Sequence, residues 1–152
     1  MQIIQTVSRL KLLEIMNRLD FFVEFTAEER GLLLEDKLQV YSCRKDRAVI
    51  REGESDTAFY LLLSGILRIE KSKQELGTVT SGQFIGEGAF VTRRPRSASA
   101  IAAEDCILLR LDNKALRSLG AVLREKVKDA IIVGMAKRIV HLNQRLELTR
   151  LN

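Results

Sequence analysis

Residues 58–70, AFYLLLSGILRIE, contain two short apolar runs separated by a serine and a glycine. Gly65 supplies the positive φ or tight turn that is expected between two strands. In the first run, Leu61 and Leu63 alternate with Tyr60 and Leu62, which are also hydrophobic, so neither face of this strand has the polar residues that contact with water requires. A sheet with one face in water alternates apolar and polar residues instead. The pattern therefore predicts a two-sheet roll or barrel that covers this strand on both faces.

Similar short runs continue in both directions from this stretch, with turn residues every six to ten positions. They are Leu38 to Cys43, Ala48 to Arg51, Ala58 to Leu63, Ile66 to Glu70, Gly77 to Thr80, Ser97 to Ala102 and Cys106 to Leu111. Short strands at this spacing are typical of all-β sandwiches and barrels. Gly53, Gly77 and Gly82 fall between the runs, where turns are expected. Residues 38–111 are therefore predicted to form an antiparallel β-roll.

The residues before the roll show helical periodicity. Residues 2–19 are predicted to form one helix because apolar residues recur there at spacings near three and four; these residues are Ile3, Ile4, Val7, Leu10, Ile15 and Leu19. Thr26 is a good N-cap for a second, short helix, and Glu28 and Glu29 lie in its first turn, where the helix dipole favours acids. Residues 1–37 are thus expected to be N-terminal helices.

Helical periodicity returns after the roll, in residues 112–152. Asp112 or Asn113 can cap a short helix that runs to Leu119, Gly120 interrupts it, and a longer helix follows to about Leu148. The whole chain is therefore predicted to be one α+β domain, residues 1–152, with a jelly roll (double-stranded β-helix) between two helical segments.

The long helix carries an apolar stripe with alternating steps of three and four residues. The stripe consists of Ile132, Met135, Ile139, Leu142 and Leu146. Such a stripe is the pattern of a short coiled-coil seam, which makes a homodimer through this helix one expectation.

Composition and charge exclude several classes of protein. The 152 residues are 46% hydrophobic and 30% charged, which excludes a disordered chain, and the net charge of +5 alone does not choose between anionic partners. No apolar run approaches the ~18 residues that a bilayer span needs, and no signal peptide opens the chain. Neither a membrane nor a nucleic acid is an expected partner of this chain alone, and the cytoplasm is the expected compartment.

Metal and thiol chemistry are also disfavoured. His141, Cys43 and Cys106 cannot supply the three or four ligands of a zinc or iron site. The cysteines are expected to be buried thiols and His141 a structural or surface residue, so the chain is not predicted to be an enzyme.

Residues 81–100, SGQFIGEGAFVTRRPRSASA, have a composition that is unusual for a structural loop. Residues 86–90 can form a single helical turn whose free N–H groups and dipole suit a phosphate. Pro95 stiffens the chain before Arg96, whose guanidinium can bind a phosphate through two parallel hydrogen bonds. A solvated basic loop is the competing interpretation, and it is the one expected for Arg93 and Arg94.

Two segments resemble the hallmarks of cyclic nucleotide-binding domains. Phe84 to Ser99 is similar to the family's phosphate-binding cassette, whose pattern is Phe-Gly-Glu, a few apolar residues, then Pro-Arg-Ser/Thr/Ala-Ala-Ser/Thr. Residues 49–54 (VIREGE) and 59–65 (FYLLLSG) are similar to the second hallmark, an Arg-Glu-Gly-Glu turn followed by a strand that ends in glycine. The resemblance covers roughly Phe21 to Leu148 and is to the catabolite-activator and protein kinase A regulatory-subunit type, here without a helix-turn-helix.

The resemblance implies a ligand and a site. Arg96 would pair with the cyclic phosphate, Glu87 would accept from the ribose 2′-hydroxyl, and the last helix would carry the signal. The remaining implied contacts are Gly86, Gly88 and Ala89 through the backbone, Ser97 and Ala98 around the phosphate, and Leu142 and Asn143 as a base lid, which competes with the dimer seam. The expected ligand is cAMP, with cGMP as the second choice, and no other cofactor is implied.

Three features depart from the family pattern: Gly88 stands where a bulky aliphatic residue is usual, Asp46 stands where a turn glycine is common, and Phe84-Ile85-Gly86 has one residue more than Phe-Gly. Three alternatives to a sensor remain open. The chain could be a degenerate scaffold that has lost its ligand, or the sensor part of a transcription regulator, since only four residues follow Leu148. A cupin-like enzyme is the weakest of them, because cupins need clustered histidines.

Overall fold

A computed structural model describes residues 2–3, 8–36 and 39–151 of the chain. The strands are β1 (Gln2–Ile3), β2 (Gln39–Cys43), β3 (Ala48–Ile50), β4 (Phe59–Ser64), β5 (Leu67–Lys71), β6 (Gln74–Val79), β7 (Phe84–Ile85), β8 (Ser99–Ala102) and β9 (Cys106–Leu111). The helices are α1 (Arg9–Asn17), α2 (Ala27–Asp36), α3 (Glu87–Thr92), α4 (Asn113–Ser118) and α5 (Ala121–Leu151), with a 3₁₀ turn at Asp20–Phe22.

The strands form two antiparallel sheets, which confirms the predicted α+β roll. One sheet has the order β1-β2-β9-β4-β7 and the other the order β3-β8-β5-β6. Alternate residues of β4 enter two different cores: Leu61 packs with the helices, whereas Tyr60 and Leu62 pack in the interior of the roll. Residues Phe59 to Leu63 are therefore all buried, and this is why the strand has no polar face.

The predicted helix over residues 2–19 is wrong at its start. Gln2–Ile3 is a strand that pairs with Ser42 and Tyr41 of β2, and the helix begins only after Ser8, whose side chain accepts from the Lys11 N–H. Ile4 and Val7, which belong to the predicted stripe, lie outside the described residues. β-branched residues at short spacing suit a strand as well as a helix, so the period alone could not separate the two.

The second helix begins as predicted, with a capping box. The Glu29 N–H donates to Thr26 Oγ1 (3.1 Å), and the Thr26 N–H donates to Glu29 Oε1 (2.9 Å). Lys126 of α5 also donates to Glu29 Oε1 (2.6 Å), so the N-terminus of α2 is tied to the last helix.

The C-terminal helices also follow the prediction. Asp112 caps α4 by accepting from the Ala115 N–H (2.7 Å). The first half of α5 packs on the body; its anchoring residues are Leu123, Val127 and Ile131, with Met135 partly buried beside them. From Ile139 to Thr149 every side chain is exposed, so this part of α5 projects from the body. Among the described helices, none is long and apolar enough to cross a membrane.

Candidate functional site

The short helix α3 begins directly after Gly86, its N-cap residue, within the stretch where the glycine-rich sequence predicted a helical turn. Gly86 has φ +83°, a conformation that favours glycine. A Cβ at this position would lie 2.6 Å from Arg96 Nη1 and 3.0 Å from the Ala58 carbonyl oxygen. Gly86 is therefore required both by its backbone conformation and by the close approach of Arg96.

Arg96 lies in the loop between α3 and β8, and its side chain points into the protein. The residue is only 4% exposed. Its Nη1 donates to the Gly86 carbonyl oxygen (3.1 Å), and its Nη2 donates to the Ala58 carbonyl oxygen (2.6 Å) and to Asp56 Oδ2 (3.2 Å). The Nε atom is buried and has no hydrogen-bond partner within the described part of the chain. The guanidinium is thus held at the N-terminus of α3 with part of its donor capacity unused.

The backbone of Arg96 is joined to the turn that forms the second hallmark. The Arg96 N–H donates to the Glu54 carbonyl oxygen (2.8 Å), and the Gly53 N–H donates to the Arg96 carbonyl oxygen (2.9 Å). Gly53 has φ +86°, as expected for a turn glycine. The two sequence segments that were recognised separately therefore meet in space and fix the loop that carries Arg96.

Asp56 is the counter-charge of Arg96, and the sequence did not reveal it. Its carboxylate also pairs with Arg110 Nη2 of β9 (3.4 Å). Burial tends to raise the pKa of Asp56, but the Ala58 N–H, Arg110 and Arg96 together lower the pKa below its ordinary value. Asp56 is thus a stable anion between two guanidinium groups.

Glu87, in the first turn of α3, is paired with the last helix. Its Oε1 accepts from Arg138 Nη1 of α5, and Arg138 Nη2 donates to the Phe84 carbonyl oxygen. The Arg138 guanidinium carbon lies 5.2 Å from the centroid of the Phe84 ring. A Cβ at Gly134 would lie 2.2 Å from Phe84 Cε1, so this glycine allows α5 to approach the ring. The cassette and α5 are therefore in direct contact.

The remaining predicted contact residues of the cassette differ in their solvent exposure. Ala89 is buried in α3, whereas Gly88 and Ser97 are exposed and Ala98 is half-buried. The hydroxyl of Ser99, at the start of β8, accepts from the Glu52 N–H (2.8 Å). Arg93 and Arg94 are exposed, as expected for them.

Leu142 and Asn143, the predicted base lid, are exposed on the projecting part of α5. They lie about one helical turn beyond Arg138, the residue through which α5 contacts Glu87. A cavity of about 850 Å³ also lies along α5, between this helix and the 3₁₀ turn. Phe84 and Arg138 line it, so it adjoins the cassette.

The cysteines and the histidine lie where the sequence suggested. Cys43 and Cys106 are buried and free, opposite each other on β2 and β9, and burial raises the pKa of Cys106 to about 11. His141 is exposed on α5. Within residues 2–3, 8–36 and 39–151, no group of three or more His, Cys, Asp or Glu could hold a metal ion.

Comparisons with known proteins bear on the fold and the family of the chain. A family model described as "Cyclic nucleotide-binding domain" matches residues 41–121. The crystal structure of a cyclic nucleotide-binding domain from Methylobacillus flagellatus is 28% identical, with a TM-score of 0.79, and covers 90% of this chain and 81% of that chain. The catabolite activator protein of Thermus thermophilus is 26% identical, with a TM-score of 0.71, over 86% of this chain and 62% of that chain.

A curated relative is the cAMP-dependent protein kinase regulatory subunit of Eremothecium gossypii. It is 27% identical over 115 residues, which are 76% of this chain and 25% of the relative. The chain spans between 10% and 25% of the length of three curated relatives, which are this subunit and the cGMP-dependent protein kinases of Eimeria tenella and Toxoplasma gondii.

Proposed function

The chain belongs to the cyclic nucleotide-binding domain family, and we propose that Arg96, Glu87 and the first turn of α3 bind a cyclic mononucleotide, cAMP in preference to cGMP. The family is one of regulatory ligand-binding domains, and we infer that this chain acts as a non-catalytic sensor. The layout as a single domain over residues 1–152 and a cytoplasmic location are part of the same proposal. The two free, buried cysteines support that location, because disulfides persist mainly in oxidising compartments.

The unpartnered Nε of Arg96 carries this proposal. A buried donor without an acceptor costs about 1–3 kcal/mol, so such groups are rare in native structures. Of the five N–H donors of a guanidinium, three have described acceptors in Arg96. The cyclic phosphate of the ligand is a monoanion with two free oxygens, which supplies the missing acceptors next to the N-terminus of α3.

Glu87 can serve the ribose without leaving Arg138. The ion pair with Arg138 uses Oε1, and an ionised carboxylate has further acceptor positions on both oxygens. The 2′-hydroxyl of a ribonucleotide can donate to Oε2, so we assign this contact to Glu87. The same contact discriminates against a deoxyribose, which has no hydroxyl at this position.

We further propose that α5 transmits the signal. Arg138 joins α5 to Glu87, so a shift of the cassette on ligand binding acts directly on this helix. For a useful response, the ligand must favour one position of the helix by typically about 1–3 kcal/mol. Leu142 and Asn143, one turn further on, would then cover the base in the closed state. Ser97 leaves the choice of base open, and cAMP is the preferred ligand in this proposal.

Calorimetry with cAMP and cGMP tests the proposed site. We expect wild-type protein to bind, and Arg96→Ala to bind at least about thirtyfold more weakly, because loss of a desolvated charge partner costs roughly 2–5 kcal/mol. Arg93→Ala is the matched control, since Arg93 lies in the same loop but is exposed. Thermal unfolding followed by circular dichroism shows whether each variant is folded. Absent heat with the wild type would favour the degenerate scaffold. Unchanged affinity of Arg96→Ala would reject the assignment of the phosphate contact to Arg96.

We also propose a homodimer through the apolar stripe of α5. Ile132, Ile139, Leu142 and Leu146 of the predicted stripe are exposed, although Met135 packs partly on its own domain. Isoleucine at positions 132 and 139 with leucine at 142 is the arrangement that favours two-stranded parallel coiled coils. Ile139→Lys should convert a dimer to a monomer in light scattering, whereas Val140→Lys, exposed on another face, should not. A wild-type mass of one chain would contradict the dimer.

A further inference from the structure

Arg110 is the centre of a polar network that connects the roll to the C-terminal helices. It lies on β9, directly opposite Tyr60 of β4 in the antiparallel register. Its Nε donates to the Tyr60 hydroxyl (3.3 Å), its Nη1 to Asp112 Oδ2 (3.2 Å) and its Nη2 to Asp56 Oδ1 (3.4 Å). The planar fork of one guanidinium thus fixes three side chains at once.

Asp56 needs this support because its own position is open to water. Its side chain is 41% exposed, whereas the side chain of its partner Arg96 is 2% exposed. A carboxylate at this level of exposure can turn away into solvent, since an ion pair near water is weak. Arg110 and the Ala58 N–H hold Oδ1, and the Tyr60 hydroxyl donates to Oδ2 (3.5 Å). Oδ2 is therefore kept in place to accept from Arg96.

We propose that Arg110 is a positioning residue for the phosphate contact of Arg96, acting through Asp56. With Oδ2 fixed, both Nη2 hydrogens of Arg96 are engaged, by Asp56 and by the Ala58 carbonyl oxygen, and the Nε–H remains free for the ligand. Pre-organised donors bind more tightly because less side-chain freedom is lost on binding. This inference rests on the proposed function, since it concerns the same phosphate contact.

The third contact of Arg110 extends the network to the C-terminal helices. Asp112 accepts from Arg110 with Oδ2 and caps α4 with Oδ1, which accepts from the Ala115 N–H. Arg96 is thus joined through Asp56, Arg110 and Asp112 to the first turn of the helix that precedes α5.

A double-mutant cycle separates this role from a general effect of charge or stability. If Arg110 acts through Asp56, then Arg110→Gln has no remaining target once Asp56 is replaced by Asn. A long-range attraction between Arg110 and the anionic ligand would persist in the Asp56→Asn background. General damage to the fold would also persist there. The affinity of four proteins, the wild type, Arg110→Gln, Asp56→Asn and the double variant, is therefore the informative measurement.

We expect Arg110→Gln to weaken cAMP binding about threefold to tenfold in calorimetry, which lies in the lower part of the range for residues in one network. In the Asp56→Asn background, the same substitution should change affinity by less than about twofold. Arg68→Gln is the control, because Arg68 forms an ion pair of the same kind with Glu70 (2.7 Å) and its side chain is 30% exposed. It should leave affinity unchanged.

Three outcomes overturn the inference. An equal loss in both backgrounds, or no loss in either, rejects the action through Asp56 while leaving the proposed function intact. Absent binding by the wild type overturns the proposed function and this inference together. If Arg110→Gln does not fold, the cycle is repeated with Arg110→Lys, which keeps the charge but lacks the planar fork, and the same pattern of non-additivity is expected.

Discussion

Replacement of Gly134 by alanine tests how α5 is held against the cassette. The added Cβ would lie 2.2 Å from Cε1 and 2.7 Å from Cζ of the Phe84 ring. This ring is 3% exposed, and its centroid lies 5.6 Å from that of Phe59 and 6.0 Å from that of Phe21. The ring cannot retreat without displacing two other aromatic rings, so the helix itself must move outward.

The sign of the effect follows from two opposing contributions. In a helix interior, alanine is favoured over glycine by about 1 kcal/mol. Overpacking of a filled core costs about 1–3 kcal/mol, and displacement of Arg138 from the face of Phe84 adds roughly 0.5–1 kcal/mol. The costs exceed the gain, so Gly134→Ala should lower the free energy of unfolding by about 0.5–3 kcal/mol.

Urea unfolding followed by far-UV circular dichroism measures this difference. Gly31→Ala in α2 is the matched control: among the described residues its Cβ would meet the Arg9 guanidinium, with Nη2 at 2.8 Å, and this end of a flexible side chain can move away. The control should be neutral or stabilising by up to about 1 kcal/mol. If Gly134→Ala were as stable as the control or more so, the close contact between α5 and Phe84 would be refuted, and with it the proposed path from cassette to helix.

Three further predictions concern other parts of the molecule. With a pKa of about 11, Cys106 should react with iodoacetamide much more slowly in the native protein at pH 7 than in urea, and rapid native labelling measured by mass spectrometry would contradict its burial. Glu29→Gln should cost about 1 kcal/mol at pH 7 in urea unfolding, because Glu29 loses its charged bond to Lys126. The Lys126 bond lowers the pKa of Glu29 below 4.5. The stability from this pair is therefore present above that pH and is lost as the pH falls through the folded pKa. A stability difference between wild type and variant that persists in strong acid would contradict the pair. Asp112→Ala should cost about 1–2 kcal/mol through loss of the cap that accepts from Ala115, and an unchanged urea midpoint would contradict that role.

The fold was readable from the sequence wherever burial leaves a local pattern. The strand Phe59–Ser64 has apolar residues on both faces because its alternate side chains enter two cores. The sequence of the strand alone shows this pattern, without knowledge of the strands that it pairs with. Thr26 and Asp112 cap their helices through backbone groups three residues away, which is again a local signal. The prediction for the start of the chain was wrong because Gln2–Ile3 forms a strand through pairing with β2, and no local sequence pattern indicates that contact.

The candidate site likewise contains residues that a local sequence pattern predicted and residues that it did not. Gly86, Glu87 and Arg96 lie within one short segment and were identified from it. Asp56 lies 40 residues before Arg96, and Arg138 lies 51 residues after Glu87, so only the folded chain brings these pairs together. One signal was nevertheless available. A buried arginine needs a counter-charge. The prediction that Arg96 lies in a closed site therefore implied an acidic partner. Asp56, two residues after Glu54 of the second hallmark, was a candidate for that partner.

The residues that the sequence did not reveal bear most directly on the proposed signalling. Arg138 joins the carboxylate assigned to the ribose to α5, and Arg110 joins the arginine assigned to the phosphate to the cap of α4. Each proposed ligand contact is thus connected to a C-terminal helix through charged hydrogen bonds, without a long chain of packed side chains. Charged hydrogen bonds are short-ranged and directional, so displacement of either guanidinium by a fraction of its bond length weakens the connection. For that reason coupling in this domain should respond to substitutions at Arg110 and Arg138 more strongly than to changes in the apolar core between them.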